Sequence, residues 1–158
     1  MNDYLLKLIQ TYKQKGLLID TNILLLYIVG SIDINSIRNF RRTAHFTEKD
    51  FYIVSKFIDY FVVKITTPHI LTEASNLLGN RIELQFALGK QVEMMEEKFM
   101  ESKQIAKTDV FLQFGLTDTA ISEMAKDSYL VVTDDNPLFG YLSNQKIDTV
   151  SLDQIRMI

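Results

Sequence analysis

The sequence predicts an α/β fold in which helices cover both faces of a parallel sheet, an α/β/α sandwich. Short β-branched or aliphatic runs, such as 17–19 and 129–133, alternate with longer stretches whose apolar residues recur every three or four positions. Strands separated by helices form parallel sheets, because the chain must cross back over the sheet before it adds the next strand. The run at 17–19 is apolar throughout, which is typical of a strand buried on both faces.

The first predicted element is an amphipathic helix over residues 3–14, which Gly16 ends. It forms a helical extension, residues 1–16, of one domain that spans 1–158. The later elements are a strand at 17–20, a helix at 23–29, a polar and basic loop with a short helix at 31–48, a helix at 50–63, a strand at 64–67, helices at 68–78, 81–103, 108–114 and 118–126, a strand at 129–133, a helix at 137–142, a strand at 148–150 and a helical turn from 153.

Individual residues set the predicted boundaries of the helices. Pro68 favours the first turn of the helix that follows the strand at 64–67. Gly30 and Gly115 are expected to end the helices that precede them. Thr117 is a suitable N-cap for the helix at 118–126, because its hydroxyl can accept a hydrogen bond from a free backbone N–H.

The composition excludes several classes of function. The 158 residues are 47% hydrophobic and 23% charged, as in a compact globular protein, and they include no cysteine. Disulfides, thiolate metal sites and cysteine nucleophiles are therefore excluded. The chain begins without the apolar core of a signal peptide and has no apolar run long enough to span a bilayer, so we expect a cytoplasmic protein with no membrane partner. The net charge of -3 argues against a strongly basic nucleic-acid binder.

Five acidic residues stand out by their position relative to the predicted elements. Asp20 ends the first strand, Asp134 and Asp135 follow the strand at 129–133, and Asp118 begins a helix. Glu73 lies near the apolar side of the helix that starts at 68. Parallel sheets bind ligands beyond the carboxyl ends of their strands, so we expect these acids to converge.

Converging carboxylates repel one another, and their charge must be offset by a cation. Hard oxygen ligands select Mg²⁺ or Mn²⁺. The chemistry that uses such a site is hydrolysis of phosphodiester bonds, in which one metal ion activates water and a second can stabilise the leaving oxygen. Net negative charge is compatible with nucleic-acid binding if metal ions offset the acidic cluster.

Each of these acids also has a simpler explanation. Asp20 can merely cap the helix that follows it, and Asp118 is a favourable first-turn residue in any helix. Asp134 and Asp135 can form a turn, and Glu73 can be an ordinary surface residue. Only their common fit to one site favours the metal hypothesis over these alternatives.

Four segments in order resemble the PIN-domain family, over roughly residues 17–152: LLIDTNILL, TPHILTEASNLL, GLTDTAISEMA and YLVVTDDNPLFGYL. The resemblance implies a parallel-sheet fold similar to that of 5′-nucleases, and a Mg²⁺- or Mn²⁺-dependent endoribonuclease that hydrolyses RNA. Many small bacterial members resemble VapC-type toxins, so a cognate antitoxin protein and a homodimer are further expected partners. The alternatives are a non-catalytic RNA-binding or regulatory module and a nuclease that acts on DNA.

The resemblance also assigns roles to individual residues. Its T-x-D motif selects the acid two places after Thr133, which favours Asp135 over Asp134 as the last metal ligand. Asn22 and Thr133 would support the site by hydrogen bonds. The catalytic and metal-binding acids implied by the resemblance are Asp20, Glu73, Asp118 and Asp135, with Asp134 as the alternative.

Two features differ from the family pattern. A helix precedes the first strand, and no strand is recognisable between the long helix at 81–103 and the helix at 118–126. The acids of the motifs are unaffected by either difference.

The densest basic cluster of the sequence is formed by Arg38, Arg41 and Arg42. One hypothesis is that this segment guides the RNA backbone and that Phe40 and Phe46 nearby stack on bases, and a plain solvated loop is the favoured alternative.

The two histidines of the chain are His45, in the basic loop, and His69. His69 lies one helical turn before Glu73 and is a candidate for contact with a phosphate or a carboxylate. A purely structural role at the start of the helix is the alternative.

Overall fold

The computed structural model describes residues 3–157, so the first two residues of the predicted N-terminal extension lie outside it. The helices are α1 (Asp3–Tyr12), α2 (Thr21–Ile32), α3 (Ser36–Asn39), α4 (Glu48–Asp59), α5 (Pro68–Leu78), α6 (Ile82–Met94), α7 (Ser102–Ile105), α8 (Asp109–Ala125), α9 (Asn136–Asn144) and α10 (Leu152–Arg156). The strands are β1 (Leu17–Ile19), β2 (Lys64–Thr66), β3 (Glu96–Glu97), β4 (Leu130–Thr133) and β5 (Thr149–Ser151).

The five strands form one sheet in the order β3-β2-β1-β4-β5, and every neighbouring pair is parallel. This confirms the predicted α/β class and the parallel sheet. Every residue of β1 and β4 is buried, although successive side chains of a strand point to opposite faces. Both faces of the sheet centre are therefore covered, which explains why these strands are apolar throughout.

The strand order reverses at β1, in the centre of the sheet. From β1 the chain adds β2 and β3 on one side, and it then returns to add β4 and β5 on the other. At such a reversal the connections leave the two central strands in opposite directions and open a crevice at their carboxyl ends. Asp20 directly follows β1 and Asp134 directly follows β4, so both lie at this crevice.

The N-terminal helix α1 belongs to the same hydrophobic core as the sheet. Its buried residues Leu5, Leu8 and Ile9 are members of the cluster that contains β1 and β4. Tyr12 ends the helix and donates a hydrogen bond from its hydroxyl to Asp148 Oδ2 at 2.8 Å, just before β5. The predicted helix is confirmed, and these contacts fix it to the opposite end of the chain.

The prediction of one long helix over 81–103 is wrong. Helix α6 ends at Met94, and the edge strand β3 follows it and pairs with β2. Both residues of β3 are exposed glutamates, so no apolar alternation distinguishes the strand from a solvated helix face. Backbone pairing, including the hydrogen bond from Lys98 N to Thr66 O at 2.8 Å, decides the structure here. A strand that is not recognisable in the sequence, β3, therefore lies between α6 and α8.

Of the two glycines expected to end helices, Gly115 interrupts the helical backbone as predicted, and Gly30 does not. Helix α2 continues through Gly30 to Ile32, and a Cβ at Gly30 would collide with the Phe51 ring. This glycine permits close packing and does not end the helix. Gly115 kinks α8 with φ 77° and ψ −173°, and the helix resumes immediately, so Thr117 lies inside α8 and is not its N-cap.

Candidate active site

Asp20 is the most central of the acids and is held in place by both middle strands. Its backbone N–H donates to Val132 O at 3.1 Å. Its Oδ2 accepts a hydrogen bond from Thr133 Oγ1 at 2.6 Å, and its Oδ1 accepts one from Thr21 N at 2.6 Å. The residue is 5% exposed and occupies the N-cap position of α2. Both of its oxygens are thus oriented by the protein.

The charge of Asp20 is nevertheless poorly compensated. Burial, helped by the charges of Asp118 and Asp134, raises its pKa to about 7, although the hydrogen bonds from Thr133 and Thr21 act to lower it. Among residues 3–157, no lysine or arginine forms an ion pair with Asp20. The carboxylate is therefore positioned without being neutralised.

Glu73 reaches the same region from α5. The helix starts at Pro68 as predicted, and Thr67 Oγ1 caps it by accepting from Ile70 N at 3.2 Å. Half-buried Glu73 accepts a hydrogen bond at Oε2 from Thr21 Oγ1 at 3.2 Å. Thr21 follows Asp20 directly, so α5 and the end of β1 are connected through this one residue.

Asp118 comes to the site from α8, in the first turn after the kink at Gly115. Burial, helped by the charges of Asp135 and Glu73, raises its pKa to about 6. Asp118 in turn raises the pKa of Asp20. The acids that the sequence predicts to converge therefore do interact electrostatically.

Asp134 and Asp135 have different surroundings. Asp135 Oδ1 accepts from Leu138 N at 2.8 Å and caps α9, and its backbone N–H donates to Thr133 Oγ1 at 2.9 Å. Asp134 Oδ2 lies 3.2 Å from His45 Nε2, while its Oδ1 is buried without a hydrogen-bond partner among the described residues. Asp134 therefore has a buried oxygen free for a ligand, whereas one oxygen of Asp135 is used as a helix cap.

The carboxylate oxygens of this site are the kind of ligand that a hard divalent cation prefers. Among the described residues, however, the carboxylates are not close enough together to hold an ion. The unpartnered buried Oδ1 of Asp134 and the uncompensated Asp20 are the oxygen donors that Mg²⁺ and Mn²⁺ prefer. Within residues 3–157, however, no three His, Cys, Asp or Glu side chains form a group that could hold a metal ion as they stand. A shared ion would have to draw these carboxylates closer together.

The predicted supporting and substrate-binding residues have varied settings. Thr133 hydrogen-bonds Asp20, whereas Asn22 is half-buried in the first turn of α2 and makes no side-chain hydrogen bond to a described residue. Arg38, Arg41 and Arg42 are all exposed.

The two aromatic residues of the basic segment are not free to act together as predicted. Phe46 is fully buried, so the prediction that it stacks on bases is wrong. Phe46 lies close to basic residues in the sequence, but its ring packs in the hydrophobic core. Phe40 is half-buried, and the Arg81 guanidinium lies 5.9 Å from its ring centre.

Both histidines have contacts that the sequence analysis did not predict. His45 anchors the basic segment at the site through Asp134, 89 residues away, and its ring contacts that of Phe46. His69 Nε2 lies 3.0 Å from Ser102 Oγ, and its Nδ1 is buried without a partner in the described part of the chain. No local signal pointed to either contact, because both depend on how distant segments pack.

Comparison with known proteins adds no family assignment. No family model matches the sequence, and no curated protein matches it either. Over the described range 3–157, no helix is long and apolar enough to cross a membrane.

Proposed function

We propose that this protein is a metal-dependent nuclease of PIN type that hydrolyses phosphodiester bonds in RNA. The main support is Asp20, a buried carboxylate that two hydrogen bonds orient and that no basic side chain of residues 3–157 neutralises. It lies at the reversal point of a parallel sheet, where α/β proteins bind their ligands. A cation is the simplest partner for such a group, because an isolated buried charge is costly.

The neighbouring acids support the same proposal. Asp118 and Asp134 raise the pKa of Asp20, and Asp135 and Glu73 raise that of Asp118. If these acids had only a structural role, the protein would be more stable with uncharged residues in their place, because the acids repel one another. Their retention around one crevice is accounted for if a divalent ion offsets their charge.

The residues that would hold Mg²⁺ or Mn²⁺ are Asp20, Asp118, Glu73 and either Asp134 or Asp135. When bound, the ion supplies an activated water and stabilises charge on the phosphodiester. Thr133 and Thr21 keep the Asp20 oxygens fixed, and the bond from Thr21 to Glu73 orients the second acid. Hydrolysis adds one water across a P–O bond and leaves one hydroxyl end and one phosphate end.

The basic segment supports RNA as the substrate. His45 connects this segment to the crevice through Asp134, and the side chains of Arg38, Arg41 and Arg42 are exposed. Exposed cations in a segment that reaches the acidic site through His45 can bind phosphates of the same RNA strand. Replacing both Arg41 and Arg42 with Glu is expected to weaken RNA binding and to reduce its salt dependence. Unchanged binding and salt dependence would exclude this role.

Cleavage assays test the proposal directly. The protein is incubated with labelled single-stranded RNA, single-stranded DNA or duplex DNA, each in Mg²⁺, in Mn²⁺ and in EDTA. We expect RNA cleavage that requires the metal and is lost in Asp118→Asn. The matched control is Asp109→Asn, because Asp109 lies exposed on the same helix and should be dispensable. Cleavage that persists in EDTA or in Asp118→Asn would refute the mechanism, and cleavage of DNA alone would change the substrate.

One observation favours a second candidate, a non-catalytic RNA-binding module. The described acids do not form a complete ligand group, and Asp135 uses one oxygen to cap α9. RNA binding without cleavage in either metal would support this candidate. The antitoxin partner and the homodimer remain predictions from the family resemblance, and the cytoplasmic location remains a prediction from the sequence.

A further inference from the structure

A groove of about 480 Å³ adjoins the acidic crevice. One wall is α5 and the other is formed by Ser102 of α7 and the start of the second half of α8. Glu73 on the first wall and Thr117 on the second mark its border with the crevice, since Thr117 directly precedes Asp118. Any ligand in this groove is therefore next to the acids of the proposed nuclease site.

The lining of the groove combines apolar walls with unpaired polar groups. Leu77 and Leu116 contribute apolar surface, and Leu116 is 38% exposed. The Asn76 amide and the Thr72 hydroxyl also line it, and neither makes a side-chain hydrogen bond to any residue of 3–157. Flat apolar walls with a few free polar groups are the usual lining of a small-molecule pocket, and the volume is within the usual range.

Helix geometry relates the Asn76 amide to the acids. His69, Glu73 and Asn76 follow one another on a single face of α5, and Asn76 lies one turn beyond Glu73. The rise of a helix separates Glu73 and Asn76 by only about 5 Å along the axis. The 3.0 Å contact between His69 Nε2 and Ser102 Oγ joins α5 to α7 in the lining of the groove.

We propose that this groove binds one unpaired base of the RNA, next to the phosphodiester being cut, and that Asn76 recognises the edge of that base. The proposal rests on the proposed function for its substrate class. An amide offers one donor group and one acceptor, which is what a base edge requires. Apolar walls accommodate the flat faces of a base whose edge is read in this way. Asn76 would be a specificity-determining residue, with no part in the chemical step.

Two measurements test the proposal separately from catalysis. The first is the base preference at cleavage sites in a random single-stranded RNA pool, read by sequencing the products. The second is the binding of four RNA pentamers that differ only in the central base, in Mg²⁺, with Asp20→Asn as the background to prevent cleavage. Both are performed with Asn76→Ala and with the control variant Asn80→Ala. Asn80 is exposed, follows Gly79 and is not among the residues that line the groove.

We expect the parent protein to prefer one base by roughly fivefold or more, and Asn76→Ala to lose that preference, because a paired amide contact discriminates by about this much. Asn80→Ala should keep the preference. An unchanged preference in Asn76→Ala would overturn the proposal even if the protein cleaves RNA. Base-selective binding that Asn76→Ala abolishes would support the groove even if no RNA is cut, and would then refute only the proposed catalysis.

If a second copy of the chain occupies the groove, these measurements give a different result. If Leu116→Arg converts a dimer into a monomer in sedimentation and Asn76→Ala leaves RNA binding unchanged, the groove belongs to an interface between copies of the chain. The base-binding proposal would then be wrong.

Discussion

Asp20 and Asp50 are the two buried aspartates of the described chain, and their surroundings are opposite in character. They are 5% and 3% exposed, and each lies at the start of a helix. Asp50 accepts hydrogen bonds from Arg156 Nε at 2.8 Å and Nη2 at 3.1 Å, and it also completes the capping box with Thr47. Asp20 has hydroxyl and backbone donors alone.

The pKa values of Asp20 and Asp50 shift in opposite directions because their hydrogen bonds compensate burial to different extents. Burial acts to raise both pKa values. At Asp50, the hydrogen bonds from Arg156 and Thr47 outweigh burial and hold the pKa below its ordinary value. At Asp20, hydrogen bonds cannot outweigh burial and the nearby acids, and the pKa rises to about 7. The contrast separates a carboxylate that stabilises the fold from one that is kept at a cost in stability.

The largest expected effect separates the two aspartates by activity. Asp20→Asn should lower RNA cleavage by more than about 100-fold, beyond the 10- to 100-fold typical for the partners of metal ligands. Asp50→Ala, assayed well below its melting temperature, should retain cleavage because Asp50 does not contribute to the crevice. Similar losses in both variants would indicate that Asp20 acts through folding.

Replacement of Asp50, unlike that of Asp20, should affect the stability of the protein more than its activity. Asp50→Ala removes the capping-box acid and its ion pair with Arg156, which keeps Asp153 as a partner. The free energy of unfolding should therefore fall by roughly 1–3 kcal/mol. The measurement is urea unfolding at pH 8 in EDTA. Arg156→Gln is the companion variant, and it should lose less because the capping box remains. A change of less than about 0.5 kcal/mol in Asp50→Ala would contradict the assigned structural role.

The pH dependence of stability should identify the uncompensated acid. The folded-state pKa of Asp20 is raised from 3.8 to about 7, so its folded form keeps the proton that the unfolded form loses. The contribution of Asp20 to stability is therefore full below about pH 4 and falls as the pH rises to about 7, by on the order of 1 kcal/mol per pH unit. Asp20→Asn should remove this slope in metal-free urea unfolding. Parallel curves for the two proteins would contradict the shift.

The smallest effect concerns the hydroxyl that orients Asp20. Thr133→Val removes the bond to Asp20 Oδ2 and the acceptor for Asp135 N, so Mn²⁺ affinity should fall by about tenfold. Thr133→Ser keeps the hydroxyl and should bind Mn²⁺ almost normally. Titration calorimetry measures both variants, and equal losses would assign the effect to packing.

Local patterns were sufficient for much of the fold and for part of the site. The runs that form β1 and β4 are apolar enough to be recognised singly, and Asp20 follows the first of them directly. Pro68 fixed the start of α5 and hence the placement of Glu73. These features depend on neighbouring residues, which a sequence displays.

Other features depend on distant contacts and could not be predicted. The two exposed glutamates of β3 become a strand only because β2 offers an unpaired edge. His45 meets Asp134, and Phe46 enters the core, through packing between segments far apart in the chain. The choice between Asp134 and Asp135 also remains a prediction, because it depends on how a bound ion would draw the carboxylates together.

Stabilisation by a divalent cation tests the central claim most directly. A ligand that binds only the folded state raises its stability by an amount that grows with the logarithm of the ligand concentration once that concentration exceeds Kd. Thermal unfolding is therefore measured at pH 8 in EDTA and in millimolar Mn²⁺ for the parent protein, Asp20→Asn and Asp109→Asn. We predict that Mn²⁺ raises the melting temperature of the parent protein and Asp109→Asn by several degrees and leaves Asp20→Asn unchanged. No shift in the parent protein, or an equal shift in all three, would contradict a metal site at Asp20.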